Sequence, residues 1–270
     1  MTTLIIFLVV VAVFVAVASF PHWRDARILK QPFPDNWLAV IHLRLPFFNK
    51  LKEAEQKQLL SAIKLFLAKK NFYGCGGLEI RDEIRLTIAA EACLLLLNRK
   101  TGVYPGLQHI LVYPHAFKTE HKQRNPDGTV SEMENGLLGE SWGNSGKVVL
   151  SWDDVEKGVE NFQDGHNVVL HEFSHQLDSE SGVANGAPPL RKNSYQAWAE
   201  VLSGEFQNLT KASDHHYKAV MDYYGATNPA EFFAVATETF FEKPKQMSDK
   251  HPELFDELKT YYCVDPRSWQ

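Results

Sequence analysis

Residues 167–178 read NVVLHEFSHQLD, and the fold of the chain turns on how this stretch is taken. His171 and His175 stand four positions apart, with Glu172 directly after the first. In a helix such residues share a face, one turn apart. Two imidazoles so placed can bind a single metal ion. Glu172 would then sit beside the ion, where a carboxylate can take a proton from a water and pass it to a leaving amine. Asn167 is a suitable N-cap, and Val168, Val169 and Leu170 give the helix an apolar side to bury. The competing reading is two surface histidines that share a face with a solvated glutamate. The rest of the chain must therefore supply what a metal site still lacks.

A catalytic zinc takes three protein ligands and keeps one position open. Continuation as HExxHxxGxxH fails, because Asp178 stands where the glycine should be and Ser181 where the third histidine should be. The three cysteines, Cys75, Cys93 and Cys263, are far apart and form no CxxC pair. That speaks against a disulfide framework and a thiolate site, and leaves imidazole and carboxylate as ligands. The alternative is a glutamate on a later helix. ATNPAEFFAVATETFFEKP (Ala226 to Pro244) offers one, with Asn228 as cap and Pro229 in its first turn. Glu231 and Glu238 lie near one face of it. Glu231 also suits a capping box with Asn228, and Glu238 also suits a solvated late position. Spacing favours Glu231 and leaves Glu238 open, with Asp178 and other acids behind them. His109, His115, His166, His215 and His216 have no partner at ligand spacing.

The amino terminus differs from the rest. Leu4 to Phe20 is nearly all apolar and uncharged, and Arg24, Arg27 and Lys30 follow it with no Lys or Arg before it. The reading is a single transmembrane helix of roughly 25 Å. The basic residues on its far side place the remainder in the cytoplasm. The rival is a cleaved signal peptide at Ala16-Val17-Ala18, which would make the protein secreted or periplasmic. The expected organisation is an anchor over 1–22, a proline-bearing linker and lead-in over 23–50, and a metallopeptidase domain over 51–270.

Helical spacing is expected over Lys52 to Lys70 and Glu79 to Leu97, and strands over His109 to Pro114 and Gly146 to Trp152. KVVLSW (Lys147 to Trp152) reads equally well as an interior strand or as an edge strand along which a peptide pairs. Thr119 to Gly136 reads as a polar loop with a Pro-Asp-Gly turn. Helices, a short sheet and further helices make an α+β domain. A net charge of −5 and the lack of a basic block argue against direct binding of nucleic acid.

Several blocks together carry a resemblance: NVVLHEFSHQLD, GVANGAPPL (Gly182 to Leu190), YYGATNPAEFFAVATETFF (Tyr223 to Phe241), ILVYPHAF (Ile110 to Phe117) and GESWGNSGKVVLSW (Gly139 to Trp152). In order and spacing they resemble the Mlc titration factor A family of zinc peptidases, from about Pro32 to Trp269. The resemblance implies a zincin-type, gluzincin-like core: a small mixed sheet packed with an active-site helix and further helices, here preceded by the transmembrane helix. It implies one zinc per chain on His171, His175 and Glu231, with Glu172 as general base. It also implies a transition-state tyrosine at Tyr224, where a phenol can donate to the oxyanion of the attacked carbonyl; adjacent Tyr223 is not excluded by sequence. The function so implied is zinc-dependent hydrolysis of peptide bonds in a peptide or protein substrate. A second reading is a regulatory binding protein that titrates a transcription factor or another partner, with peptidase activity secondary.

Overall fold

Val168–Asp178 is helical (α6), and the elements around it bury its apolar side. Asn167 caps it, its Oδ1 accepting from the Leu170 N–H at 3.0 Å. Val169, Leu170, Phe173 and Leu177 are fully buried. The structure is a computed structural model and describes residues 2–124, 130–137, 139–142 and 146–269.

Behind α6 stand two helices that the apolar spacing anticipated. Helix α3 spans Glu53–Lys69 and α4 spans Asp82–Leu94. Ile84 and the whole run from Leu86 to Leu94 are buried on α4. Phe173 packs its ring 5.7 Å from Phe66 of α3 and 4.9 Å from Tyr104, whose hydroxyl donates to the Ala92 carbonyl of α4. Residues between Pro32 and Lys50 add to the same core. Helix α2 (Asp35–Arg44) buries Ile41, and Phe47 stacks flat on Trp269 at 5.4 Å.

Strands β1 (Asn71–Gly74), β2 (His109–Tyr113) and β6 (Lys147–Ser151) run parallel, with Phe72 beside Ile110 and Ile110 beside Val148. Strand β5 (Gly139–Trp142) joins β6 antiparallel, so the order is β1-β2-β6-β5. KVVLS is therefore an interior strand and β5 holds the edge. Strands β3 (Phe117–Arg124) and β4 (Val130–Leu137) form a separate antiparallel pair where the sequence suggested a loop. Phe117, Val130, Met133 and Leu137 are the only large apolar residues of the two segments, too sparse to give the alternating apolar signal that marks a half-buried strand. The Pro126-Asp127-Gly128 turn lies outside the described residues. From Trp152 the chain is mainly helical: α5 (Trp152–Glu160), α6, α7 (Tyr195–Asp214), α8 (Pro229–Glu242), α9 (Pro244–Lys250) and α10 (Pro252–Tyr262). The molecule is thus mostly helical around a small sheet.

The expected transmembrane helix is corrected. Residues Thr2–Lys30 do form one helix, α1, but among the described residues no helix is long and apolar enough to cross a membrane. The uncharged part spans roughly 25 Å, against about 30 Å of hydrocarbon core. The helix then runs on through Pro21, Arg24, Asp25 and Arg27, and this charged half is tied to α3. Lys69 pairs with Asp25, and the Lys64 ammonium donates to the carbonyls of Leu29 at 3.1 Å and Gln31 at 2.5 Å. The single-pass membrane placement with a cytoplasmic catalytic domain, and the membrane as a partner, fall with the span.

Two consequences are measurable. Phe173→Ala removes a fully buried ring at the junction of α6, α3 and Tyr104. It should cost about 3–5 kcal/mol in urea unfolding; a loss under about 1 kcal/mol would mean that the packing behind α6 is loose.

Glu91 of α4 supplies the second. It is 1% exposed, Oε1 accepts from the Asn167 side-chain amide at 2.8 Å, and Oε2 has no hydrogen-bond partner among the described residues. Burial pushes its carboxyl from 4.5 up to about 8, against the opposing Asn167 bond and the Arg44 charge. Between those values the folded chain holds a proton that the unfolded chain releases, so stability falls as pH rises through that window. Glu91→Gln imitates the protonated acid. It should leave stability near pH 5 close to wild type and flatten the decline toward pH 8, read from thermal melts across that range. Parallel curves for the two proteins would refute this.

Candidate metal centre

His171 and His175 stand one turn apart on α6, their rings 4.9 Å apart and nearly perpendicular. Their Nε2 atoms face each other at 3.3 Å. Helix α8 crosses α6 and brings Glu231 to the same point. Its Oε2 lies 3.0 Å from His171 Nε2 and 3.4 Å from His175 Nε2. One donor atom from each of the three residues lies within 4.8 Å of the others, and among the described residues no other such group of ligand atoms occurs.

The start of α8 is built to hold this position. Asn228 caps the helix through Oδ1, which accepts from the N–H groups of Ala230 at 2.9 Å and Glu231 at 3.0 Å. Pro229 occupies the first turn. Phe232, Phe233 and Phe240 are buried and fix its rotation. The Glu231 side chain is thus free of the capping box that its position suggested. A loop then braces the turn from outside. Gly186 takes a positive φ of 79° and comes so near the Pro229 carbonyl that a Cβ there would sit 2.5 Å from the oxygen. Asp178, a remaining candidate ligand from the sequence, is spent on this loop. It is fully buried and its Oδ2 accepts from the Gly186 N–H at 2.7 Å.

Glu238 occupies the other side of His171. Its Oε1 is 2.7 Å from Nδ1 of the imidazole. The two glutamates, of which spacing favoured Glu231 and left Glu238 open, therefore meet different nitrogens of one ring, Glu231 at Nε2 and Glu238 at Nδ1. Sequence alone identified the pair, since residues two turns apart share a face. It could not tell which nitrogen each would meet, because that depends on how α8 crosses α6. The network around Glu242, whose Oε2 accepts from the N–H groups of Gly165 and His166, carried no sequence signal at all.

Glu172 is 4% exposed, and its Oε2 has no hydrogen-bond partner among the described residues. Burial raises its carboxyl to about 7, while the His171 and His175 imidazoles pull the other way. Glu231 behaves oppositely. Burial would raise it, but hydrogen bonds from both imidazoles prevail and hold it at about 2. Burial also opposes charge on His171, yet the Glu238 and Glu231 carboxylates outweigh it and raise that imidazole well above its usual range. The set as a whole favours positive charge between the rings.

Tyr224 lies over this centre, its ring 5.9 Å from that of His171 and about half exposed. It rides on the 3-10 turn Tyr223–Ala226, whose cap Asp222 accepts from the Tyr224 N–H at 2.7 Å. Burial, then the charges of Glu231 and Glu172, push its phenol up to about 12, so it keeps its proton. Tyr223 points its hydroxyl at the Tyr217 carbonyl instead, which separates two tyrosines that the sequence left equivalent.

Two imidazoles and a carboxylate converging on one point are a donor set that suits zinc, and three protein donors leave a position for water or substrate. With a Glu238 oxygen at Nδ1, Nε2 is the nitrogen of His171 that faces the other donors, so the residues present fit a metal ion that would take the place of the Nε2 proton.

Comparison with known proteins bears on the same centre. The sequence pattern described as glucose-regulated metallo-peptidase M90 matches residues 20–263. An uncharacterized protein of Synechocystis sp. is 42% identical over 269 residues, 98% of each chain. Mlc titration factor A of Serratia proteamaculans is 32% identical over 227 residues, covering 83% of this chain and 86% of that one. The protein of that name from Yersinia pestis is 30% identical over 83% of each. The resemblance read from the motif blocks is thereby shown, and the family implies a metal. By the extent of these matches, the chain belongs to the glucose-regulated metallo-peptidase family M90.

Proposed function

We propose that the protein is a zinc-dependent peptidase that hydrolyses peptide bonds. The observation that carries this reading is the convergence of His171 Nε2, His175 Nε2 and Glu231 Oε2 from two packed helices, with the Glu172 carboxylate beside them. His171, His175 and Glu231 would hold one zinc ion. When bound, zinc supplies a Lewis acid that polarises the scissile carbonyl and acidifies water.

The chain's own residues do the rest. A Glu172 carboxylate oxygen accepts the proton of the attacking water and returns it to the amine nitrogen as the C–N bond breaks. The buried position of Glu172 keeps that carboxylate from competing hydrogen bonds with bulk solvent. The Tyr224 hydroxyl donates to the carbonyl oxygen as it gains negative charge. Its high pKa means that it donates rather than repels. The outer edge of β5, which packs beside α6 and has no strand partner there among the described residues, suits an extended peptide adding as a further strand.

A second reading has one observation in its favour: two relatives carry the name Mlc titration factor A. On that reading the protein binds a regulatory partner, and cleavage is secondary.

Metal analysis of the purified full chain should find one zinc per molecule. Glu231→Ala should lose it. Retention of zinc by Glu231→Ala, with loss by Glu238→Ala, would reverse the assignment of the third ligand.

Glu172→Gln tests catalysis against binding. The variant should be folded and zinc-loaded, with peptide turnover lower by about a hundredfold to ten-thousandfold. Turnover near that of wild type would remove Glu172 from the chemistry. An undiminished effect in cells without cleavage would decide for the binding reading.

A further inference from the structure

Glu238 makes two hydrogen bonds with its two oxygens, and both reach the metal helix. Oε1 accepts from His171 Nδ1 at 2.7 Å, and Oε2 accepts from the backbone N–H of Asn167, the helix cap, at 2.6 Å. The residue is 6% exposed. It lies on α8 two turns beyond Glu231, and the His171 ring stands between the two carboxylates. A position so placed is wrong for a ligand, because Oε1 meets the far nitrogen of the ring. It is also more than a link between helices, because the same carboxylate fixes a ring and the peptide group four residues ahead of it.

We propose that Glu238 is a positioning residue for the metal: it sets the tautomer and the rotation of His171. This rests on the zinc reading above. An ionised carboxylate only accepts hydrogen bonds. Placed at Nδ1, it keeps the ring proton there and leaves the Nε2 lone pair pointing at His175 Nε2 and Glu231 Oε2. Its second bond ties the ring to the first turn of α6, so the imidazole and the start of the helix cannot drift separately. The Asn167 side chain is engaged elsewhere and makes no bond to Glu238 or to the ring: its amide donates to buried Glu91 on α4 while its Oδ1 caps Leu170.

The test is Glu238→Gln in the full chain. A glutamine has one acceptor oxygen for two donors, the Asn167 N–H and the His171 Nδ1–H. If its amide nitrogen faces the ring, it stabilises the wrong tautomer, with a proton on Nε2. Zinc affinity, measured by competition with a chromogenic chelator, should fall about ten- to a hundredfold. The control is Asn167→Ala, which removes the side-chain cap and leaves both Glu238 bonds in place. It should lower the melting temperature and leave zinc affinity near wild type. Nitrogen-15 NMR of the metal-free wild type, at a pH where the His171 ring is neutral, should place its proton on Nδ1, a readout that stands even if Glu238→Gln fails to fold. Unchanged zinc affinity in Glu238→Gln overturns the proposal. So does a His171 proton on Nε2, or an equal loss of affinity in Asn167→Ala, which would mark the role as purely structural. A wild-type chain that binds no zinc overturns the zinc reading itself, and this assignment with it.

Discussion

The imidazole of His171 has a carboxylate at each ring nitrogen, both from α8, and much of the fold can be understood from what that demands. The glutamates must project toward α6 from the same side of α8, so α8 must be held in rotation. Its phenylalanines do this from within the core, and the Asn228 cap with the Gly186 contact does it at the exposed end. The ring must also not turn away, so α6 is pressed from behind by Phe66 and Tyr104 through Phe173. Burying each such aromatic ring contributes about 1.5–3 kcal/mol. Apolar contacts on one side of α6 therefore secure polar geometry on the other.

Close around that geometry the protein buries an unusual amount of acid. Glu91, Glu172, Glu238 and Glu242 are all nearly inaccessible to water. Burying carboxylates is costly unless they are hydrogen-bonded or protonated. The chain uses both solutions. Glu238 is satisfied at both oxygens by the start of α6 and His171. Glu242, also served by backbone N–H groups ahead of α6, is nonetheless pushed up by burial to about 9. The N-terminal end of a helix is a favourable place for this, since its free N–H groups point outward and carry partial positive charge.

How far the sequence could be read follows from which interactions are local. The cap at Asn167, the shared face of His171 and His175, and the cap at Asn228 depend on residues within one turn, and all three are present. Glu231 and Glu238 were recognisable as a pair but not as different partners, because the distinction lies in how two distant helices cross. Tyr223 and Tyr224 were equivalent on paper and are separated by the Tyr217 carbonyl, a tertiary contact. The amino terminus misled for another reason. Its composition is that of a membrane span, but its length falls short and its helix continues into charged residues bound to α3. The β3–β4 pair escaped notice because backbone pairing between mainly polar strands leaves little hydropathic trace.

The two-turn separation of Glu231 and Glu238 also governs how the centre could come apart. A helix turns about 100° per residue. If α8 slipped by one residue, both carboxylates would leave the His171 ring together, one from each nitrogen. Small bending of α8 would strain the two contacts in concert rather than one at a time. The ring therefore has no half-held state along that motion, and retention of an ion held there would report the register between two helices.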